Sequence, residues 1–508
     1  MVWRAEDPEG NEAAKVRWDV VPYACGRGID IGCGEAKVFN SFLGVDNCKD
    51  NALFGAQIRP DIGAQAEDLG IFSDGSFDSV FSSHTLEHIV DYHAALTEWW
   101  RITKVGGYLI LYLPHRDFYP RIGQPGSNID HKHDFAPEQI VETMREIGHW
   151  DLVVNETRTD EDEYSFLQVY RKRDDGQWNE PYREPRPGKT LALVRLGAFG
   201  DALWLTSALP HLKAQGYHVT VYTQESGEAI LRHDPNVDRI IQMPDYLFTG
   251  QNLVAYFLHE QRKYDRFINL VGSVETRLLP NPKDFEYYWA DEVRRRVMNV
   301  NYLQTVHEWC GVPYEPRVRF TPTAEERSQA WTRRSEMAGP VVVINPSGSG
   351  QAKWWPHWQR CAEQLAERAH VVVLGDAPGK QPASLERIHL IGRSWPIREA
   401  LAFAQLADAV IGPESAITNC VSFEPMLKVV MLSHSTVENL TRDWVETVTI
   451  AVDGLDCYPC HRIHTNMDYC AVDKESRAAA CQASIKPNQV ADVVVEYMNW
   501  LAEERKAA

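Results

Sequence analysis

The segment LALVRLGAFGDALWLTSALP, residues 191–210, constrains the fold more than any other stretch of the chain. An apolar run from Leu191 to Val194 breaks at Gly197-Ala198-Phe199-Gly200 and resumes with helical spacing at Leu203, Leu205, Ala208 and Leu209. A buried strand, a glycine turn and a helix in that order make the first unit of a nucleotide-type α/β domain, whose ligands bind at the carboxyl edge of the sheet. Asp201 stands where the helix begins, so its carboxylate meets a helix N-terminus at that edge. Capping the helix and serving chemistry both remain open for it on this ground.

The same grammar occurs twice more. RGIDIGCG, residues 27–34, reads as a strand ending in a turn, where Gly32 and Gly34 let a ligand approach the backbone. LGVDN then ends a second strand with Asp46, where an acid would hold a ribose hydroxyl pair. FDSVFSS reads as a strand and HAALTEWWRIT as an amphipathic helix, with VGG as its stop and YLILYLP as the next strand. A third start is GPVVVINPSG at 339–348, followed by strands in AHVVVLGD, IHLIG, DAVIGPES and KVVML. Between the first two blocks lies RKRDDGQWNEPYREPRPG, rich in proline and charge, the best linker in the chain. The expected division is a domain over 1–172, a linker over 173–188, and two further α/β halves over 189–335 and 336–508. The fold class is α/β throughout: one Rossmann-like domain followed by a two-Rossmann pair, since 508 residues exceed what one core can hold.

Charge and cysteine usage narrow the function classes. The formal net charge of −19 opposes a broad phosphate-binding surface, so nucleic acid is not the favoured partner. No run of apolar residues reaches the ~20 of a membrane-spanning helix, and the polar start MVWRAEDPEGNEAAK lacks a signal-peptide core, so a cytoplasmic protein is expected. Cys25, Cys33, Cys48, Cys310, Cys361 and Cys420 are scattered and read as small buried residues.

The motifs of the first third resemble a class I, type 11, S-adenosylmethionine-dependent methyltransferase over about residues 25–170. The resemblance implies that Asp30, Gly32 and Gly34 frame the methionine part of S-adenosylmethionine and Asp46 binds the ribose. It further implies that Asp68 and Leu69 flank the adenine, with Ser83 and His84 beside the sulfonium. Only EAKVFNSFL separates the glycine turn from the second strand, shorter than the family's usual helix and a feature associated with methyltransferases of surface-polysaccharide gene sets. For the methyl acceptor, the loop GQPGSNIDHKHDF offers His131, His133 and Asp134, and His88 is a second candidate base. A metal on His131, His133 and Asp134 is a further option, although H-x-H-D on a loop is a weak metal signal.

VRLGAFGDALWLTSALPHLK, NPSGSGQAKWWPHWQRCAEQL and IGPESAITNCVSFEPMLKVVML together resemble the heptosyltransferase-like glycosyltransferases of family 9, over about residues 189–500. That resemblance implies a GT-B type, metal-independent, inverting transfer from a nucleotide sugar such as ADP-heptose to a glycan or lipid-linked glycan. Asp201 would be the base, Lys353 the cation on the leaving diphosphate, and Ser347, Gly348, Ser349, Ser415 and Ala416 the phosphate-facing turns. Glu414, Ala416 and Asn419 stand where the family has Asp, Gly and His, which puts donor identity and turnover in question. Near the C-terminus Cys457 and Cys460 form C-x-x-C, and Cys470 with Cys481 completes four thiols that would suit a structural zinc. Free thiols or a redox pair are the alternative, and C-x-x-C-H also fits haem attachment, which a chain without an export signal would not meet.

The expectation is a bifunctional methyltransferase and glycosyltransferase of cell-surface polysaccharide synthesis. Phage-type modification of nucleic-acid bases, or a binding scaffold whose glycosyltransferase activity is lost, are the alternatives.

Overall fold

The computed structural model describes residues 11–47, 58, 60–159, 162–180, 188–243, 250–274, 277–379, 381–382, 384, 386–464 and 467–507. Cys48 and residues 181–187 of the expected linker lie outside them. The chain forms two compact units, Met1–Pro187 with Gln242–Tyr264, and Gly188–Ile241 with Asp265–Ala508.

The first unit is built on seven strands: β1 (Gly28–Ile31), β2 (Leu43–Asp46), β3 (Ile62–Gly63), β4 (Phe77–Ser83), β5 (Thr103–Pro114), β6 (Trp150–Arg158) and β7 (Ser165–Lys172). They lie in the order β3-β2-β1-β4-β5-β7-β6. The pairs from β3 to β5 are parallel, whereas β7 runs antiparallel to both β5 and β6. β1 is buried along its whole length, as a parallel strand covered on both faces must be. The helix Tyr92–Ile102 starts where Asp91 accepts the Ala94 N–H at 2.9 Å, and it sets Leu96 and Trp99 into the core. The Trp99 indole is satisfied there by the Ala66 carbonyl at 2.8 Å.

The VGG triplet does not stop this helix. The helix ends at Ile102, and β5 begins at Thr103 and runs through Val105-Gly106-Gly107 with an irregular register opposite Phe77–Ser79. A Cβ at Gly107 would come within 2.7 Å of the Asp78 carbonyl oxygen, so glycine is what lets the strand pass. The helix Gly250–Glu260, inside the 189–335 half expected from sequence, packs in the first unit through Tyr256 against Trp18 and His259 against Asp19. Residues before 181 also lie on this unit: Trp178 Nε1 donates to the Gly148 carbonyl at 2.7 Å and the Asn179 N–H to the Trp150 carbonyl at 3.0 Å.

The second unit holds two sheets. β8 (Thr190–Val194), β9 (His218–Thr223), β10 (Arg239–Gln242) and β11 (Arg266–Asn269) lie in the order β10-β9-β8-β11. β12 (Val341–Ile344), β13 (His370–Leu374), β14 (Ile388–Gly392), β15 (Ala409–Pro413), β16 (Leu427–Met431) and β17 (Thr447–Ile450) lie in the order β14-β13-β12-β15-β16-β17, all parallel. The halves share one apolar core that includes Leu203 and Leu209 from one and Leu401, Val410 and Val430 from the other. Arg398 clamps them: buried, it forks onto Glu326 at 2.6 and 2.8 Å and donates to the Ala229 carbonyl at 3.0 Å. In each sheet the strand order reverses beside the first strand: at β1/β4, β8/β11 and β12/β15. These are the crevices where α/β sheets take ligands.

Candidate functional site

In the first unit the carboxyl ends of β1, β2 and β4 carry the turn and acids singled out from sequence. Gly34 has φ +55°, and a Cβ there would meet nothing within 4 Å, so the turn opens onto free space. Gly32, at φ +75°, is closed instead by Thr85, whose Oγ1 would lie 2.0 Å from a Cβ. Asp46 accepts the N–H of Gly34 at 3.0 Å and of Asn47 at 2.7 Å, which locks the turn to the end of β2. Asp30 points inward: buried, it accepts the Val38 N–H at 2.6 Å, and burial pushes its pKa up to about 7 against that bond. Asp68 is exposed beside the fully buried Leu69. Among the described residues the buried Ser83 hydroxyl at the end of β4 has no hydrogen-bond partner. His84 follows in the left-handed region at φ 47°, with Nε2 hydrogen-bonded to Ser165 Oγ at 2.9 Å. Burial, with the Lys15 charge, takes its pKa down to about 3, so the ring is neutral.

The acceptor loop separates its own residues. His133 Nε2 hydrogen-bonds with the Val90 carbonyl at 3.1 Å, and Asp134 accepts the Ile122 N–H at 3.1 Å. His131 turns inward against His88, ring to ring at 4.8 Å. The H-x-H-D trio is therefore not brought together. A cavity of about 410 Å³ lined by Arg27, Lys37 and Asp61 opens at the amino edge of the same sheet, the edge opposite the turn.

In the second unit, Asp201 occupies the first turn of the helix Phe199–Leu205, directly after β8. Its Oδ2 accepts the Ala198 N–H at 2.8 Å, and its Oδ1 is ion-paired with the buried Arg195, which also donates to the Leu270 carbonyl at 3.2 Å. Capping and a charged pair thus coexist at one carboxylate. Gly200 beside it lets the helix Ala416–Cys420 approach, since a Cβ would stand 2.9 Å from Asn419 Nδ2. Across the second switch point, Lys353 Nζ lies 3.4 Å from Glu414 Oε2, at the end of β15. His434, just beyond β16, reaches the same oxygen with Nε2 at 2.9 Å and Ser433 Oγ with Nδ1 at 2.7 Å. Burial alone would raise the pKa of Glu414, but Lys353 and His434 outweigh it and hold it near about 2. Gly348 makes room for this lysine, because a Cβ there would meet Lys353 Cδ at 2.5 Å. Ser415 caps the short helix, accepting from Thr418 N–H at 3.4 Å, and Asn419 keeps a buried Oδ1 without a partner.

Residues 24–111 match the family described as a methyltransferase domain, and residues 259–470 match glycosyltransferase family 9 (heptosyltransferase). The chain is a transferase carrying both domains. The methyltransferase domain implies S-adenosylmethionine as methyl donor; the glycosyltransferase domain implies a nucleotide sugar and a glycan acceptor. Among solved structures, ADP-heptose LPS heptosyltransferase II of E. coli is similar at 16% identity and TM-score 0.43, over 62% of this chain and 99% of that one. A family 9 glycosyltransferase of Veillonella parvula is similar at 13% and 0.44, over 61% and 97%. An S-adenosylmethionine-dependent methyltransferase of Thermotoga maritima is similar at 19% and 0.24, over 31% and 89%. No curated protein matches the chain. No helix among the described residues is long and apolar enough to cross a membrane.

His434 of the glycosyltransferase domain has no signature in the sequence, because its contact with Glu414 is made by neighbouring strand ends and not by spacing. It sets an imidazole beside the motif in which Asn419 replaces the family's histidine. The four C-terminal cysteines, Cys457, Cys460, Cys470 and Cys481, line one small cavity with His434, His464 and Tyr458. Cys460 Sγ lies 3.5 Å from His464 Nε2, and burial raises the thiols, Cys460 to about 11 and Cys470 to about 12. Among the described residues, no three of these side chains bring their ligand atoms within 4.8 Å of one another.

Proposed function

We propose that the chain transfers a methyl group and a sugar to a glycan or glycan-like acceptor, a lipid-linked glycan included, in cell-surface polysaccharide synthesis on the cytoplasmic side. The observation that carries the sugar-transfer half is the buried Lys353–Glu414–His434 group at one switch point, in the same unit as Asp201 at the other. Glycosyl transfer needs a base for the acceptor hydroxyl and a cation for the leaving nucleotide diphosphate. Asp201, aimed by its ion pair with Arg195, is the base. Lys353 is the cation, and the backbone amides of Ser347, Gly348 and Ser349, with those of Ser415 and Ala416, face the phosphates. Supplying both charges from side chains makes transfer metal-independent, and a single displacement assisted by one base inverts the anomeric centre. The donor is an ADP-heptose-like nucleotide sugar.

In the methyltransferase half, Gly34 admits the methionine end of S-adenosylmethionine while Gly32 lets Thr85 close against the turn; Asp46 takes the ribose, Asp68 and Leu69 the adenine, and Ser83 and His84 the sulfonium side. Bound there, the cofactor supplies an electrophilic methyl group. The inward bond of Asp30 to Val38 gives that acid the task of holding the turn. His133 is the base proposed for an acceptor hydroxyl. The cavity of Cys457, Cys460, Cys470 and Cys481 has the donor set for a structural zinc; those thiols would release protons and close in on the ion.

The test is nucleotide release from a panel of nucleotide sugars by the full-length protein, alongside Lys353→Ala. Release that depends on Lys353 supports the reading, and release from none of the panel removes it. For the zinc, metal content after purification should fall in Cys457→Ser; folded protein equally free of metal in both forms ends the idea.

A further inference from the structure

The methyltransferase domain buries a carboxylate that lacks a side-chain partner among the described residues. Glu87, in the turn Leu86–His88, is fully buried, and among the described residues neither of its carboxylate oxygens meets a hydrogen-bond partner on another residue. A buried charge in that state is costly, and such a group normally finds a partner. Three imidazoles surround it just beyond hydrogen-bond reach: Oε1 lies 3.8 Å from His84 Nδ1, 3.9 Å from His88 Nε2 and 3.9 Å from His131 Nε2. The ligand atoms of Glu87, His88 and His131 all lie within 4.8 Å of one another.

The backbone holds this group together. The N–H groups of Lys132 and His133 donate to the Glu87 carbonyl at 2.7 and 3.2 Å, pinning the loop that carries His131 onto the turn that carries Glu87 and His88. The backbone of Asp130 bonds the His88 ring, and Tyr119 lies against the His131 ring at 5.2 Å. Ring support of this kind is what orients histidines that ligate metals. We propose that Glu87, His88 and His131 bind a divalent transition-metal ion through one carboxylate oxygen and two imidazole nitrogens.

Two imidazoles and a carboxylate suit zinc, iron or manganese and not calcium, which takes an all-oxygen shell. Ligand atoms bonded at ~2.1 Å to a tetrahedral ion stand ~3.4 Å apart; the two Glu87 distances of 3.9 Å need to shorten by about half an ångström, and the two imidazoles, within 4.8 Å of each other, draw together with them. The His88 side chain is 34% exposed, which provides an entry path. Three protein ligands leave a coordination position for water or for an oxygen of a bound acceptor. Metal binding here stands apart from the cofactor reading, which rests on Gly34 and Asp46.

The test is to strip the full-length protein with EDTA, titrate it with Zn²⁺ and separately with Mn²⁺, and follow heat and bound metal by elemental mass spectrometry. Wild type is expected to hold one equivalent more than His131→Ala, His88→Ala or Glu87→Gln, each of which weakens that equivalent by ~100-fold or more, while Cys457→Ser retains it. His88→Ala, on the exposed side, serves where a buried substitution impairs folding, and circular dichroism verifies the fold of each. The proposal is overturned if the folded variants hold as much metal as wild type. S-adenosylmethionine binding, titrated in parallel, reports separately on the cofactor site.

Discussion

Arg195 and Asp201 are six positions apart in sequence and form one charged pair at the mouth of β8. The arginine fixes the carboxylate through one oxygen, and the Ala198 N–H donates to the other. Asp201→Asn preserves shape and cap but cannot accept a proton. We expect it to lower sugar transfer by ~10²- to 10⁴-fold with nucleotide affinity unchanged, read from release kinetics and calorimetry. Full turnover in that variant would remove Asp201 from the chemistry. Glu414 raises a different issue, since it balances Lys353 and His434 in a buried site. Glu414→Gln leaves that lysine without its counter-charge and is expected to cost about 3 kcal/mol, measured by denaturant unfolding. Lys353 and Glu414 were legible because each lies in a compact string, K-W-W-P and G-P-E-S. His434 and Glu87 were not, for their partners come from other turns of the chain and no short spacing records them.

At the level of elements, strands of the parallel kind announced themselves as apolar runs, VVVI in β12 and HVVVL in β13, because burial on both faces removes polar residues. The strands β6 and β7 were harder to read: β6 turns exposed from Asn155, so its apolar pattern fades after Val154. The VGG triplet misleads for a physical reason, since glycine stops helices and also relieves a crowded strand, and only the Asp78 carbonyl decides between them. The helix Gly250–Glu260 is likewise placed by contacts at long range, with Asp19 as its charged anchor. Burial would raise the pKa of Asp19, but the His259 bond and the charges of Arg158 and Lys263 prevail and lower it from 3.8 to about 2. A carboxyl depressed on folding stabilises the fold above its unfolded pKa, and that contribution drains away as pH falls from 3.8 through about 2. Its size is about 2 kcal/mol at neutral pH. Asp19→Asn should therefore lose stability at pH 7 and show a flatter acid limb in unfolding curves taken between pH 5 and 2. An acid limb identical to wild type would deny the anchor its role.

For the whole molecule, the three sheets were legible because each begins with the same strand–glycine–helix punctuation, whereas the allocation of residues 242–264 to the first unit was not. Two separate ligand edges predict separable losses. Asp46→Ala should abolish S-adenosylmethionine binding and spare the nucleotide sugar, and Lys353→Ala should do the reverse. The most direct measurement is native mass spectrometry of the full-length protein with S-adenosylmethionine and ADP-heptose together. One molecule of each is expected on a single chain, the first lost in Asp46→Ala alone and the second in Lys353→Ala alone. A chain that binds neither, or a single folded variant that loses both, would contradict two transferase sites in one protein.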